Sequence, residues 1–381
     1  MSLESQGIVD GDVLLLHRET AEDRPAHVDD VRGAVEDRID ETARIWRSST
    51  TFAFGLLLAA TGPLAALAVM TYLRPTPANV SVAAVGALLS LGMYAVQRSM
   101  ATIGHVLLVA ACVWGAGSAM LTVDLLSGEP QPLVLAAASC VAALFVAAIG
   151  WMVDELGLVY LATIGTITLA AGVLAAVGIF VDAAQGVRAA VVLLVLGVGV
   201  LPRVALAMGG LAGLDYEVRH VGQVGTERFE EDLGNSDRLL LGTLLGCAVS
   251  VTAAAPLLVA VGGGLPDVLL AGLVSLLMVF RSRLFDRISH VLPLRLGGVL
   301  GAGVAALGSI TLLPAIAPWL PALVLAAGAA VAVLSGVRLA DVPRASLRRT
   351  FNAVEIVVII ALCGVTAWAM GLFHLVAALT A

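Results

Sequence analysis

Long apolar runs joined by short polar connections make up most of the sequence. A helix rises 1.5 Å per residue, so about 20 apolar residues are needed to cross roughly 30 Å of hydrocarbon. Eleven runs meet this length or come close to it: 51–73, 78–97, 101–123, 131–153, 156–180, 188–208, 239–261, 266–280, 291–313, 317–336 and 352–376. In lipid, only a helix pairs all of its backbone polar groups within one segment. The pattern therefore predicts an all-α fold, a polytopic membrane helix bundle of about eleven transmembrane helices.

The composition supports an integral membrane protein. Of the 381 residues, 60% are hydrophobic and only 13% are charged. Soluble proteins carry about 25% charged residues, because they must cover their surface with polar groups. A soluble globular fold is therefore excluded.

The arginines predict the orientation of the bundle. All 21 basic residues are arginines, and with the N-terminus in the cytoplasm nineteen of them lie in cytoplasmic segments. Only Arg74 and Arg188 are left on the outer side. Cytoplasmic connections are enriched in basic residues, and the N-terminus is therefore predicted to be cytoplasmic. An odd number of spans then places the C-terminus outside.

The first fifty residues differ from the rest because they are polar. Residues 1–20 contain "GIVDGDVLLLHR", a turn followed by a short apolar strand. Residues 21–50 carry apolar side chains at helical spacing, which predicts a cytosolic amphipathic linker helix. The transmembrane domain is predicted over 51–381, with one sizeable cytosolic loop at 209–238.

Glycine pairs spaced four residues apart predict close contacts between helices. Such pairs occur at Gly209 and Gly213, at Gly242 and Gly246, and at Gly297 and Gly301. Small residues at this spacing let two helix backbones approach each other in lipid.

Catalytic and ion-coupling residues are not evident. No ionisable residue is predicted near the middle of a span, where a coupled transporter would hold its ion. Glu355 is the deepest candidate and is expected to lie within reach of Arg348 and Arg349. The others lie near the ends of their spans: His105, Asp124, Asp154, Glu155, Asp182 and His374. The chain matches no hydrolase, P-loop, metal-binding or cofactor motif, and its four cysteines occupy four separate apolar runs. We therefore expect a non-catalytic protein without cofactors.

Arginines on two short cytoplasmic segments are candidates for contact with a partner. "RSRLFDR" places Arg281, Arg283 and Arg287 on one inner loop. These could serve only as a topology signal and a headgroup anchor, or they could form a docking surface for an acidic partner. Arg344, Arg348 and Arg349 precede the last span and are candidates for the same role.

Several segments together resemble one family, EccD, the multi-span core subunit of actinobacterial type VII (ESX) secretion systems. Besides the opening "GIVDGDVLLLHR", they are "DDVRGAVED", "LPRVALAMGGLAGL", "DRLLLGTLLG" and "RSRLFDRISHVLPL". The resemblance covers essentially the whole chain. By this resemblance, residues 1–20 are the C-terminal remnant of a ubiquitin-like domain.

The resemblance implies a scaffold in the bacterial inner membrane. A subunit of this kind pairs with a second copy of itself to frame a lipid-lined vestibule and assembles with EccB, the ATPase EccC and EccE. It binds no nucleic acid. The alternative function is a secondary transporter for a small neutral or hydrophobic solute, which internal repeats would favour.

Overall fold

The structure is a computed structural model. It describes residues 48–72, 75–97, 101–128, 131–211, 226–262, 264–312 and 341–373, together with isolated positions at 213, 315, 317–320, 322, 325 and 378. The predicted ubiquitin-like remnant and nearly all of the predicted linker helix lie outside these residues. The chain forms two compact units, Met1–Gly55 and Leu56–Ala381. Of the first unit, only the opening turns of the first helix are described.

Helices make up nearly all of the described chain. We label the α-helices in order: α1 (Ser48–Tyr72), α2 (Pro77–Val96), α3 (Ala101–Ser127), α4 (Pro132–Val153), α5 (Gly157–Phe180), α6 (Ala183–Gly197), α7 (Leu201–Met208), α8 (Thr226–Leu257), α9 (Leu265–Arg281), α10 (Ile288–Leu312) and α11 (Asp341–Ala369). A π-helical turn, Leu258–Gly262, follows α8, and 3-10 turns occur at Ser282–Leu284 and Ala317–Trp319.

The observed helices confirm the predicted fold class. Within the described residues, nine helices are long and apolar enough to cross a membrane, and α6 with α7 could form a tenth span. The predicted span at 317–336 falls almost entirely outside the described residues. The eighth span, which looked short in the sequence, extends as a helix over Leu265–Leu284.

The sixth predicted span is broken rather than continuous. It begins at Ala183, earlier than the predicted residue 188, and bends by 73° between α6 and α7. Pro202 lies in the first turn of α7 and has no backbone N–H to donate, and its ring would clash with the carbonyl four residues earlier. The α-helix therefore stops before this proline and restarts in a new direction.

The last part of the predicted cytosolic loop at 209–238 is helical. Helix α8 begins at Thr226 and continues without interruption to Leu257. Its first turns carry acidic residues, including Glu227. The positive end of the helix dipole stabilises a carboxylate at this place. The polar composition of this segment suggested a loop, although its residues from Thr226 onward are an extension of helix α8.

Two apolar cores hold the second unit together. The larger core joins α6, α8, α9, α10 and α11, and its fully buried side chains include Val195, Leu244, Leu277 and Leu294. The smaller core joins α2, α3 and α4 around Leu108 and Ala147. Helix α5 packs against both α4 and α8 and so connects the two groups of helices.

Two of the three predicted glycine pairs lie at helix contacts. A Cβ at Gly246 would lie 2.6 Å from the Thr163 carbonyl oxygen, and Gly242 faces the preceding turn of α5 in the same way. Gly297 faces Ala248, and Gly301 faces Ser275. For the pair at 209 and 213, Gly209 packs against Ser236 but Gly213 has open space around it.

Within the described residues, the arginines other than Arg188 gather at one end of the bundle, which we call the arginine-rich end. It contains the start of α3, α5, α8, α10 and α11 and the end of α2, α4, α7 and α9. The opposite end contains the start of α2, α4, α6 and α9. Positive-inside reasoning predicts that the arginine-rich end is cytoplasmic.

Candidate functional site

The arginine-rich end carries a network of charged side chains that we call the arginine cluster: Arg281, Arg283, Arg287 and Arg295. Arg281 ends α9, and its Nε lies 3.4 Å from Oε1 of Glu355 on α11. The two side chains are only 14% and 17% exposed. This ion pair therefore links two helices rather than facing solvent.

The absence of a side chain at Gly199 makes room for this ion pair. Gly199 lies in the break between α6 and α7, and the Arg281 guanidinium occupies the position where a Cβ would stand. The carbonyl end of α6 has a partial negative charge, which favours a cation at this place. Arg281 therefore connects the bent helix to α11.

Replacing Gly199 with alanine is expected to destabilise the protein by about 1–3 kcal/mol, because the methyl group displaces the guanidinium and leaves Glu355 without its charged partner. Thermal unfolding in detergent measures the effect. Gly197→Ala is the control, because a Cβ at Gly197 meets nothing within 4 Å. Equal shifts in unfolding temperature for the two variants would show that the position of the Arg281 guanidinium does not depend on the space at Gly199.

Arg283 stacks on an aromatic ring of the last helix. Its guanidinium carbon lies 4.6 Å from the centre of the Phe351 ring, within the range of a cation–π contact. Its Nη2 also donates to Oδ1 of Asn352 at 3.4 Å. Arg295 is held from the neighbouring turn, where its Nε donates to Oγ of Ser282 at 3.2 Å.

Asp237 on α8 contacts two further basic side chains, Arg287 and His290. Nη1 of Arg287 lies 2.6 Å from Oδ1 of Asp237. Nε2 of the buried His290 lies 3.5 Å from the same oxygen. The Arg287 side chain is open to solvent, with 64% of its surface exposed.

A second set of contacts ties α8 to the turn between α4 and α5. Arg238 pairs with Glu155 in that turn, and its Nη1 donates to Oδ1 of Asn235 at 3.1 Å. Close by, Nδ1 of His105 lies 2.9 Å from the Tyr160 hydroxyl. His105, expected near the end of its span, contacts α5 through this hydroxyl.

The six arginines predicted as a docking surface have different surroundings. Arg281 is partly buried and pairs with Glu355, whereas Arg283, Arg287 and Arg349 are exposed. Of these exposed arginines, Arg283 contacts α11 and Arg287 pairs with Asp237. Arg344 and Arg348 belong to α11, but their side chains lie outside the described residues. Docking by these arginines stays a prediction. Glu355, expected within reach of Arg348 and Arg349, pairs with Arg281.

A buried ion pair lies at the opposite end of the bundle. Arg188 on α6 donates from Nε to Oδ1 of Asp267 at 2.7 Å and from Nη2 to Oδ2 at 2.9 Å. The two residues are 9% and 2% exposed. Asp267 also lies in the first turn of α9, where the helix dipole favours a carboxylate. This two-bond geometry satisfies both charges and fixes α6 against α9.

Both charges lie near the starts of their helices, so the expectation that no ionisable residue lies near the middle of a span is not contradicted, but this buried ion pair was not predicted. Arg188 was placed in an outer connection because the predicted span started at residue 188, whereas α6 begins at Ala183. A signal was present in the sequence. Arg188 and Asp267 are an opposite pair at the same end of two apolar runs, and charges that enter such runs are normally paired.

Among the described residues, no group of three or more histidine, cysteine or acidic side chains could hold a metal ion. The four cysteines are free thiols, two of them buried in the helix packing.

Comparison with known proteins adds the family. A family model described as the EccD-like transmembrane domain matches residues 50–379. The solved structure of protomer 1 of the ESX-3 core complex superposes with a TM-score of 0.61 at 18% identity, covering 98% of this chain and 85% of that chain. The MycP5-free ESX-5 inner membrane complex in State II gives a TM-score of 0.51 at 16% identity, with coverage of 80% and 77%. No curated protein sequence gives a significant match.

Proposed function

Because the chain belongs to the EccD-like transmembrane family, we propose that it is a membrane scaffold subunit of a type VII (ESX) protein secretion complex. The observation that carries this proposal is the family match over residues 50–379, nearly the whole transmembrane domain. The two structural neighbours, described as ESX-3 and ESX-5 complexes, support the fold on which it rests. The chain is a multi-pass membrane protein, and its proposed place is the bacterial inner membrane.

The proposed subunit is non-catalytic and works through its surfaces. At the arginine-rich end Arg281 pairs with Glu355 and Arg287 pairs with Asp237, and at the opposite end Arg188 and Asp267 satisfy each other. Paired charges hold helices in place but do not present a free acid, base or nucleophile to a substrate. ATP hydrolysis by a partner subunit would drive export.

The proposed partners are a second copy of the chain, EccB, the ATPase EccC and EccE. Helices α1 and α2 offer broad apolar faces for lipid or for another subunit, with Leu57, Leu88 and Leu89 all more than half exposed. In the proposed dimer, two copies frame a lipid-lined vestibule. The proposed orientation places the arginine-rich end and the N-terminus in the cytoplasm and the C-terminus outside.

Deleting the gene and restoring it tests the scaffold role. Loss of the chain is expected to abolish both substrate export and assembly of the remaining core subunits into one membrane complex. Blue native electrophoresis of detergent-solubilised membranes follows assembly, and immunoblotting of the culture medium follows export. If the remaining subunits assemble normally and only export stops, the chain is not the scaffold.

The exposed arginines at the cytoplasmic end provide a narrower test of docking. Replacing both Arg287 and Arg349 with alanine is expected to lower recovery of the ATPase subunit several-fold, because exposed charges of this kind steer association with an acidic surface. The stability of the chain itself should change by no more than about 1 kcal/mol, the usual contribution of an exposed ion pair.

The control for this experiment is Arg203→Ala, which removes an exposed arginine on α7 outside the arginine cluster. Pull-down followed by quantitative mass spectrometry compares the variants. Unchanged ATPase recovery in the double variant would indicate that these two arginines serve only as topology signals and headgroup anchors.

One observation favours the alternative, a secondary transporter for a small neutral or hydrophobic solute. The bent pair α6 and α7 is a discontinuous helix, a feature that transporters use at their binding sites. At this break, however, the Arg281 guanidinium fills the space beside Gly199. Solute uptake into proteoliposomes containing the purified chain alone would support the transporter.

A further inference from the structure

A groove between α5, α7 and α8 has the chemistry of a phospholipid site. It opens at the arginine-rich end and encloses about 690 Å³. Its floor and walls are apolar or small, with Leu161, Gly165 and Leu169 on α5 facing Val204 and Met208 on α7. A cavity of this size is in the range that binds one small ligand.

The carboxylate and amide side chains that line the groove lie at one end, whereas the hydroxyls of Thr166 and Thr243 donate to carbonyls of their own helices. Asp232 and Asn235 on α8 line the end nearest the surface, and Trp151 lies at its rim. The Asp232 carboxylate lies against Gly210, whose φ of +96° brings the backbone to it without a side chain between them. None of the ion pairs found within the described residues uses this carboxylate.

The length of the groove matches one leaflet of a bilayer. From Leu158 to Leu169 it follows α5 for about 16 Å, close to half of the ~30 Å hydrocarbon thickness. A transmembrane helix with a diameter of about 10–12 Å needs more room along this distance than the groove encloses. An acyl chain fits the cross-section better.

We propose that this groove binds a phospholipid with a protonated amine in its headgroup, with one acyl chain between α5 and α7 and the ammonium group on Asp232. A carboxylate at the membrane surface attracts an ammonium group that can donate hydrogen bonds and repels a headgroup with net negative charge. Phosphatidylethanolamine has this chemistry, whereas phosphatidylglycerol does not. The site lies within a single chain and does not depend on the proposed dimer or on the secretion partners.

Native mass spectrometry of the full chain released from nanodiscs tests the site. The nanodiscs contain phosphatidylcholine with equal minor amounts of phosphatidylethanolamine and phosphatidylglycerol. The wild type is expected to retain one phosphatidylethanolamine preferentially. Asp232→Asn should lower that preference about tenfold, as expected for loss of a charge-assisted hydrogen bond. Glu231→Gln is the matched control, because this neighbouring carboxylate is exposed and does not line the groove.

A second variant fills the groove without disturbing the packing. A Cβ at Gly165 meets nothing within 4 Å, so Gly165→Leu places a side chain in the groove and should abolish lipid retention. Gly172→Leu on the same helix is also unobstructed, lies outside the groove and should leave retention unchanged. Circular dichroism and thermal unfolding confirm that both variants fold.

Three results would overturn the proposal. The first is equal retention of both lipids, or a preference for phosphatidylglycerol, in the wild type. The second is retention by Gly165→Leu that equals the wild type. The third is an Asp232→Asn variant whose preference for phosphatidylethanolamine is unchanged. If Gly165→Leu keeps its lipid and also loses a partner subunit, the occupant of the groove is a protein helix.

Discussion

Replacing Asp267 with alanine is expected to destabilise the protein by about 3–5 kcal/mol, because it leaves the Arg188 guanidinium buried without its carboxylate. The pair is held by two hydrogen bonds of 2.7 and 2.9 Å and is almost fully enclosed. Losing it would also free α6 from the first turn of α9. Chemical or thermal unfolding in detergent measures the change in free energy.

A double variant separates the ion pair from other effects of the substitution. Replacing Arg188 with methionine in the Asp267→Ala background removes the uncompensated charge, and we expect it to recover a large part of the lost stability. Asp182→Ala is the control for a carboxylate at the same end of the bundle, since Asp182 is exposed and its side chain does not cap α6. If Asp267→Ala and Asp182→Ala behave alike, the pair does not stabilise the fold.

Substitution of Gly246 by leucine is expected to have the second large effect. The new Cβ would lie 2.6 Å from the Thr163 carbonyl oxygen and 2.6 Å from the Thr166 Cβ on α5. A backbone oxygen in a helix cannot turn aside as a flexible side chain can. We therefore expect a loss of about 3 kcal/mol or more, at or above the usual range for overpacking.

Gly172→Leu is again the control, because it adds the same side chain to α5 where a Cβ meets nothing within 4 Å. Size-exclusion chromatography and thermal unfolding in detergent compare the two variants. Helix α5 connects the two groups of helices, so its separation from α8 should lower expression as well as stability. A Gly246→Leu protein as stable as Gly172→Leu would contradict the close contact between α5 and α8.

The helices and two of their contacts could be predicted from the sequence because they depend on local patterns. Apolar length alone located the spans, and four-residue glycine spacing indicated the close approach at Gly246 and Gly301. The family resemblance, based on short segments such as "RSRLFDRISHVLPL", is confirmed by the family model. These features each depend on residues that lie near one another in the chain.

Features that join distant segments could not be predicted in the same way. Arg281 pairs with Glu355, and Arg188 pairs with Asp267, across helices that are far apart in sequence. The groove beside Gly165 also depends on how α5, α7 and α8 meet. The break before α7 could have been predicted, because Pro202 closely follows two glycines. The apolar length of the run suggested one continuous span instead.

Affinity purification of the tagged chain from its native membranes, followed by mass determination of the intact complex, tests the scaffold role most directly. If the chain is a scaffold, it should purify in one large complex with a second copy of itself, the ATPase EccC and the other proposed core subunits, and should transport no solute by itself. A chain that purifies alone and accumulates a small solute in proteoliposomes would contradict the scaffold role.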